Sequence, residues 1–109
     1  MKLSAVRRFA LSLPETTEEP HFDYSSFRVR GKIFVTVPPT GGHIHVFAGE
    51  LERERALALA PDWIEKLWWG KKVVGLRVRL APARPALVEA LMRNAWMRKA
   101  PAALKKKLQ

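Results

Sequence analysis

Residues 24–37 read YSSFRVRGKIFVTV, and this pattern indicates a β-hairpin. Tyr24 to Val29 and Ile33 to Val37 are rich in aromatic and β-branched residues, which favour strands. Arg30-Gly31 lies between them, and a glycine there is typical of a two-residue turn. We therefore predict two antiparallel strands whose connecting turn is surrounded by basic residues.

The segments next to this hairpin predict further short elements. Leu3 to Leu13 has apolar residues at helical spacing, and Pro14 ends that helix. Glu15 to Pro20 is acidic and bounded by prolines, so we predict a loop. Pro38 to Gly42 predicts a second turn, and His43 to Ala48 predicts a third strand.

The rest of the chain alternates between helix and strand. Leu51 to Leu59 predicts a helix, and Pro61-Asp62 predicts the start of a short helix that reaches Leu67. Val73 to Leu80 predicts a strand, with one face made of Val74, Leu76, Val78 and Leu80. The last helix begins at Pro82 or Pro85 and ends at Pro101, and its predicted buried side consists of Leu87, Val88, Leu91, Met92, Ala95 and Trp96.

The order of these elements predicts an α+β fold. The order α-β-β-β-α-β(β)-α clusters strands that are close in sequence, which favours an antiparallel sheet with the helices on one face. The 109 residues suit a single two-layer domain, 1–109. From about residue 102 we predict a basic tail, and we expect Leu104 to Gln109 to fray.

The positive charge is concentrated in the last third of the chain. The formal net charge is +10, from 20 basic and 10 acidic residues. Residues 71–109 hold eleven of the basic residues and a single acidic one, Glu89, so residues 1–70 are neutral. A one-sided basic field attracts polyanions, of which nucleic acid is the commonest, and a membrane surface or an acidic protein is the alternative.

Composition excludes several classes of protein. The chain has no cysteine, which excludes disulfides, thiolate chemistry and cysteine-ligated zinc. No apolar run approaches the ~20 residues of a membrane span, and we expect a cytoplasmic protein with no membrane association. Few amide side chains and abundant Arg, Leu, Ala and Pro favour a thermophilic source, although a GC-rich genome produces the same bias.

The first candidate site is a basic surface for nucleic-acid phosphates. Its predicted members are Arg28, Arg30, Lys32, Lys71, Lys72, Arg77, Arg79, Arg98 and Lys99. Arg77 and Arg79 share one strand face, and Arg28 to Lys32 crowd a hairpin tip as a wing would present them. The alternative is a solvated surface that only keeps the protein soluble. No recognition helix stands out, so we expect electrostatic, largely sequence-independent contacts.

The second candidate is Trp68-Trp69. Adjacent strand residues face opposite sides, so one ring can be exposed, where it stacks a base or contacts a partner. The alternative is packing in the core or at a sheet edge, which we predict for at least one of the two. Trp63 and Trp96 fit buried helix faces.

Histidines and carboxylates predict little chemistry. His43 and His45 share a strand face, which suits zinc or copper, with His21 and Asp23 as further ligands only if folding brings them close. Two ligands are a weak signal, and we predict no metal and no cofactor. Glu18 and Glu19 have no nucleophile beside them, so we predict no catalytic residue and no enzyme.

The sequence also resembles a known family. Residues 14–24, PETTEEPHFDY, lead into FRVRGKIF at 27–34, and Trp69-Gly70-Lys71-Lys72, GLRVRL at 75–80 and Ala100-Pro101 follow. This pattern resembles the MmcQ/YjbR family of small bacterial proteins over nearly the whole chain. The resemblance implies an α+β fold like that of secretion chaperones and frataxin-like proteins, and a DNA-binding label derived from fold analogy.

Two functional hypotheses follow. The first is a non-enzymatic DNA-binding or nucleic-acid-binding protein that uses the basic C-terminal surface. The second is a protein-interaction module that binds a peptide or a second copy of the chain through Trp68, Trp69 or Val73.

Overall fold

The computed structural model of the chain describes residues 1–108 and contains a six-stranded antiparallel sheet with four helices. The elements in chain order are α1 (Leu3–Ser12), β1 (Thr16–His21), β2 (Tyr24–Val29), β3 (Lys32–Val37), β4 (His43–Val46), α2 (Glu50–Leu59), β5 (Ile64–Trp69), β6 (Lys72–Arg79), α3 (Pro85–Lys99) and α4 (Ala102–Lys105). The predicted α+β class and element order are confirmed.

The sheet order is β1-β2-β3-β4-β6-β5. The first four strands form a meander of sequential antiparallel neighbours, of which β2, β3 and β4 were predicted as strands. β6 then pairs with β4, and β5 pairs with β6 to form the second edge. The longest helix, α3, packs against β3 and β4, so one sheet face is covered by helix and the other is open.

The predicted β2–β3 turn is present. Arg30 has φ +51° and Gly31 has φ +80°, the two positive φ angles of a type I′ hairpin turn. The register then shifts, since Phe27 pairs with Val35 and Arg28 pairs with Ile33. Phe34 is therefore the extra residue of a β-bulge.

The acidic segment 15–20 is a strand rather than the predicted loop. Thr16 to His21 pair residue by residue with β2, and this pairing satisfies the backbone groups that a loop would leave to water. Pro20 is tolerated because β1 is an edge strand, where one row of N–H groups has no partner.

Residues 64–69 are also a strand, where a short helix was predicted. Ile64 pairs with Val78 and Glu65 with Arg77, so pairing with β6 overrides the weak helical pattern after Pro61. Trp63 precedes this strand and is half-buried, not on a buried helix face.

The tail does not fray along the predicted length. Ala102 to Lys105 form α4, and Leu104 is only 2% exposed. Burying one leucine gives this short helix a hydrophobic anchor. The predicted tail ends at Gln109, which lies outside the described residues.

The core lies between α3 and the sheet. Of the predicted apolar side of α3, Leu87 is half-buried and the other five residues are buried. Trp96 is fully buried, as predicted, and its Nε1 donates to the Pro14 carbonyl oxygen at 3.1 Å. This hydrogen bond ties α3 to the connection between α1 and β1.

Val74 departs from the predicted strand alternation. Leu67 pairs with Gly75 and Trp68 with Val73, which leaves Val74 as an extra, bulged residue. Leu76, Val78 and Leu80 are buried as predicted, but Val74 is half-buried and lines a cavity on the other side of the sheet.

Candidate functional site

A row of polar side chains crosses the open face of the sheet. Cross-strand pairing aligns Ser26, Thr36, His45, Arg77 and Glu65 on four neighbouring strands and the β5 edge. The Thr36 hydroxyl and His45 Nδ1 are 3.3 Å apart, and Arg77 Nη1 donates to Glu65 Oε1 at 3.1 Å. The polar side chains of this face therefore hydrogen-bond to one another, whereas the opposite face of the sheet is covered by helix.

An apolar cavity of about 550 Å³ lies on this open face. Its walls come from the β1–β2 turn, from the middle strands and from the β5–β6 hairpin. The residues that line it are His21, Phe22, Asp23, Tyr24, Thr36, His45, Phe47, Leu67, Trp68, Trp69 and Val74. We call this the aromatic cavity.

Sheet twist explains why two distant turns form one cavity. Neighbouring strands rotate by about 20–25°, so diagonal corners of a six-stranded sheet curl toward the same face. The turn at residues 22–23 and the turn at residues 70–71 lie on such a diagonal, because β1 and β5 are the two edges. Phe22 and Trp69 therefore reach the cavity from opposite ends of the sheet.

Three aromatic side chains of the cavity are exposed. Phe22 is 93% exposed, Trp69 79% and Trp68 58%. Neither ring packs in the core, which was one of the two positions predicted for at least one of them, because both lie at the end of the edge strand β5. Phe22 was missed by sequence reasoning, although an aromatic residue between the polar residues His21 and Asp23 of a tight turn was a usable signal.

One titratable group of the cavity wall, His45, has a shifted pKa. Burial, and then the nearby charges of Arg77 and His43, hold the pKa of His45 below its ordinary value, so this imidazole is neutral near pH 7. The Tyr24 ring lies 6.1 Å from the His45 ring, centroid to centroid. Among residues 1–108, no group of three or more His, Cys, Asp or Glu side chains is placed to hold a metal ion.

Six of the predicted basic residues lie at one end of the sheet. The antiparallel strand directions place the β2–β3 turn, the β5–β6 turn and the C-terminus of α3 at the same end. Arg98 Nη1 donates to the Phe47 carbonyl oxygen at 2.6 Å, which fixes that helix end beside the end of β4. We call this surface the basic end, and its members are Arg30, Lys32, Lys71, Lys72, Arg98 and Lys99.

The other three predicted basic residues lie on the open face. Arg28 donates to Ser26 Oγ at 3.0 Å and to the Pro20 carbonyl oxygen at 3.0 Å. Arg77 and Arg79 share the face, as predicted, and Arg79 Nη2 donates to the Asp62 carbonyl oxygen at 3.0 Å. These two arginines also line a smaller polar cavity of about 220 Å³ with His43 and Trp63.

Carboxylates pair with few of these cations. Within residues 1–108, four ion pairs form, namely Arg7–Glu18, Arg30–Glu15, Arg55–Glu52 and Arg77–Glu65. Only Arg77 among the basic residues of segment 71–108 has a carboxylate partner. Lys71 and Lys72 are exposed and have no carboxylate oxygen within 4.0 Å in this part of the chain.

Acidic residues also lie near the basic end. The pKa of Glu15 is lowered by its hydrogen bonds from Arg30, at 2.7 and 3.1 Å, so this pair is neutral as a unit. Glu50 and Glu52 lie in the first turn of α2, which starts next to Arg98. Arg30 and Arg98 of the basic end therefore lie near acidic residues, whereas Lys71 and Lys72 of the β5–β6 hairpin have no carboxylate partner within residues 1–108.

Comparison with known proteins adds a family and a fold. The family model for YjbR matches residues 11–98. The crystal structure of the Deinococcus radiodurans protein DR2400, which has a DUF419 domain, is similar with a TM-score of 0.78 and 18% sequence identity. The similarity covers 98% of this chain and 87% of that chain. Among curated proteins, no sequence matches this chain. Within the described part of the chain, no helix has the length and hydrophobicity of a membrane span.

Proposed function

This chain belongs to the YjbR family, and we propose that it is a non-enzymatic nucleic-acid-binding protein whose basic end contacts phosphates with little sequence preference. A cytoplasmic location, where a bacterium keeps its DNA and RNA, is part of this proposal. The protein needs no metal or cofactor for such binding.

The position of the two basic hairpins carries the proposal. Arg30 and Lys32 lie in the β2–β3 hairpin, and Lys71 and Lys72 lie in the β5–β6 hairpin. The turns of both hairpins are at the same end of the sheet. Three strand spacings separate them, which is about 14 Å, or about four base steps of one nucleic-acid strand. A phosphate backbone that runs along this end can contact both hairpins.

The chemistry of the side chains favours phosphate contacts over base reading. Lysine ammonium groups on flexible stems act as point charges for phosphate. The longest helix, α3, turns Val88, Leu91 and Met92 toward the core. Its exposed residues Ala86 and Ala90 have no side-chain group that can hydrogen-bond to a base edge. Affinity should therefore depend on salt much more than on sequence.

Paired charge reversals test the proposal. The test variant is Lys71→Glu with Lys72→Glu at the basic end. The matched control is Lys2→Glu with Arg84→Glu, two exposed residues at the opposite end, where the Met1 amino group donates to the Leu80 carbonyl oxygen at 2.7 Å. We expect at least a tenfold loss of affinity for labelled DNA in the test variant and a much smaller loss in the control.

Equal losses in the two variants would contradict the role of the basic end, because each adds the same charge change to the whole protein. A change in base preference at unchanged affinity would contradict phosphate contacts as the main source of binding.

The second candidate function is a protein-interaction module. The observation that favours it is the exposure of Phe22, Trp68 and Trp69 around one cavity, since exposed aromatic clusters mark binding surfaces. If a second copy of the chain covers these rings, sedimentation velocity will show a dimer that Trp69→Ala dissociates. A monomer at every concentration would count against self-association.

A further inference from the structure

We infer that the aromatic cavity binds an unpaired base of a single strand whose phosphates lie along Lys71 and Lys72. This inference rests on the proposed function and names its substrate class, single-stranded nucleic acid. It assigns the open face of the sheet a role distinct from the phosphate contacts of the basic end.

The shape of the cavity suits a planar ring. Trp69 reaches it from the β5–β6 hairpin and Phe22 from the β1–β2 turn, so aromatic side chains bound it from opposite sides. Both rings are largely exposed to water in the free protein. Stacking of a base on such rings removes apolar surface from water. Replacing the stacking ring with alanine lowers affinity by roughly 5- to 100-fold per base.

The polar groups of the cavity match the edge of a base. Asp23, Tyr24 and His45 line the cavity. The Thr36 hydroxyl contacts Nδ1 of His45. A carboxylate accepts hydrogen bonds, whereas a hydroxyl and a neutral imidazole both donate and accept them. Unpaired bases are recognised by this combination of stacking and edge contacts.

Charge decides between a nucleic-acid strand and an apolar peptide. Gly70 is the only residue between Trp69 and Lys71, so two lysines begin at the rim of the cavity. Neither lysine has a carboxylate partner in residues 1–108. The two lysines therefore attract a polyanion that lies next to the cavity, whereas they make no favourable ionic contact with an apolar peptide.

Duplex nucleic acid cannot use the cavity without unpairing. A base in a duplex is stacked and paired, and extrusion of one base costs a few kcal/mol. The basic end alone contacts a duplex, whereas a single strand uses both the basic end and the cavity. This difference predicts tighter binding of single strands at equal salt.

The test measures anisotropy of a labelled mixed-sequence 12-mer, single-stranded and as its duplex. The cavity variant is Phe22→Ala with Trp69→Ala, and the control is Leu51→Ala with Leu59→Ala, two exposed leucines of α2. We expect the cavity variant to lose tenfold or more in single-strand affinity and to keep duplex affinity, while the control changes neither. Trp69→Phe should retain most of the affinity, because it keeps a ring in place.

The outcomes separate the inference from the proposed function. If the cavity variant keeps full single-strand affinity while Lys71→Glu with Lys72→Glu loses it, the inference is wrong and the proposed function stands. Equal losses for single strand and duplex also overturn the inference, because a paired and stacked base cannot enter the cavity. If wild-type protein binds neither nucleic acid, both fail. Urea unfolding of each variant confirms that it is folded.

Discussion

A Cβ atom placed on Gly75 would lie 2.6 Å from the carbonyl oxygen of Val46 and 3.2 Å from the Cα atom of Phe47. The chain that leaves β4 therefore passes against β6 at a distance that only glycine allows. This close approach places Phe47, the residue after β4, in the wall of the aromatic cavity. Gly75 thus allows both the close approach of the two strands and the position of Phe47 in the cavity wall.

Gly75→Ala should destabilise the fold by about 2 kcal/mol, because main-chain atoms must move to make room for the methyl group. Gly31→Ala is the comparison, since a Cβ atom there meets nothing within 4 Å and only the φ of +80° is unfavourable, at about 1 kcal/mol. Urea unfolding measures both. A smaller loss at Gly75 than at Gly31 would contradict the close approach.

Glu18→Gln should lower stability by about 1 kcal/mol at pH 7. Arg7 Nε donates to Glu18 Oε1 at 2.8 Å and links α1 to β1, while Ser25 donates to the same carboxylate. The hydrogen bond from Arg7 is the main cause that lowers the pKa of Glu18 below 4.5. The contribution is therefore complete above pH 4.5 and is lost as pH falls through the lowered pKa.

The measurement for Glu18 is the difference in unfolding free energy between wild type and variant from pH 7 to pH 3. Glu54→Gln serves as the control, because Glu54 is an exposed residue of α2. A difference that stays constant down to pH 3 would show that the carboxylate charge is not its source.

His45 should make stability fall in mildly acidic solution. Burial, Arg77 and His43 lower the pKa of His45 in the folded protein, while the unfolded chain protonates near its ordinary value of about 6.5. Between these two values the unfolded state binds more protons, so stability falls as pH decreases through that window. Tyr24 and Thr36 also face this ring but carry no charge there.

His45→Asn checks this effect, since it removes the titration and keeps an acceptor near the Thr36 hydroxyl. We expect urea midpoints between pH 7.5 and pH 5 to change less in the variant than in wild type. His21 and His43 are present in both proteins. Identical pH profiles would rule out His45 as the source.

Leu104→Ala should cost about 2 kcal/mol, because it removes the buried side chain that anchors α4. Lys106→Ala, at an exposed position just after the helix, should change stability by less than about 0.5 kcal/mol. If thermal unfolding shows that both substitutions leave stability almost unchanged, the tail is frayed, as predicted from the sequence.

Local signals predicted the elements whose structure is decided locally. The Arg30-Gly31 turn has the positive φ values that a two-residue hairpin needs, and the buried side of α3 follows helical spacing. Residues 16–21 and 64–69 were mispredicted because they form the edge strands β1 and β5, which depend on pairing with β2 and β6. Edge pairing is a tertiary effect with a weak sequence pattern.

The candidate site was only partly predictable. The charge distribution identified the basic residues, and strand directions then brought six of the nine to one end. The aromatic cavity needed two facts that periodicity does not reveal, namely the bulge at Val74 and the twist that brings Phe22 toward Trp69.

The most direct test of the nucleic-acid proposal is a salt titration of binding to a labelled single strand. If about four phosphates contact the basic end, the slope of log K against log[salt] should be about −3. Lys71→Glu with Lys72→Glu should flatten that slope by about 1.4, the value for two lost contacts. Absence of binding at the lowest salt, or an affinity that does not change with salt, would contradict the proposal.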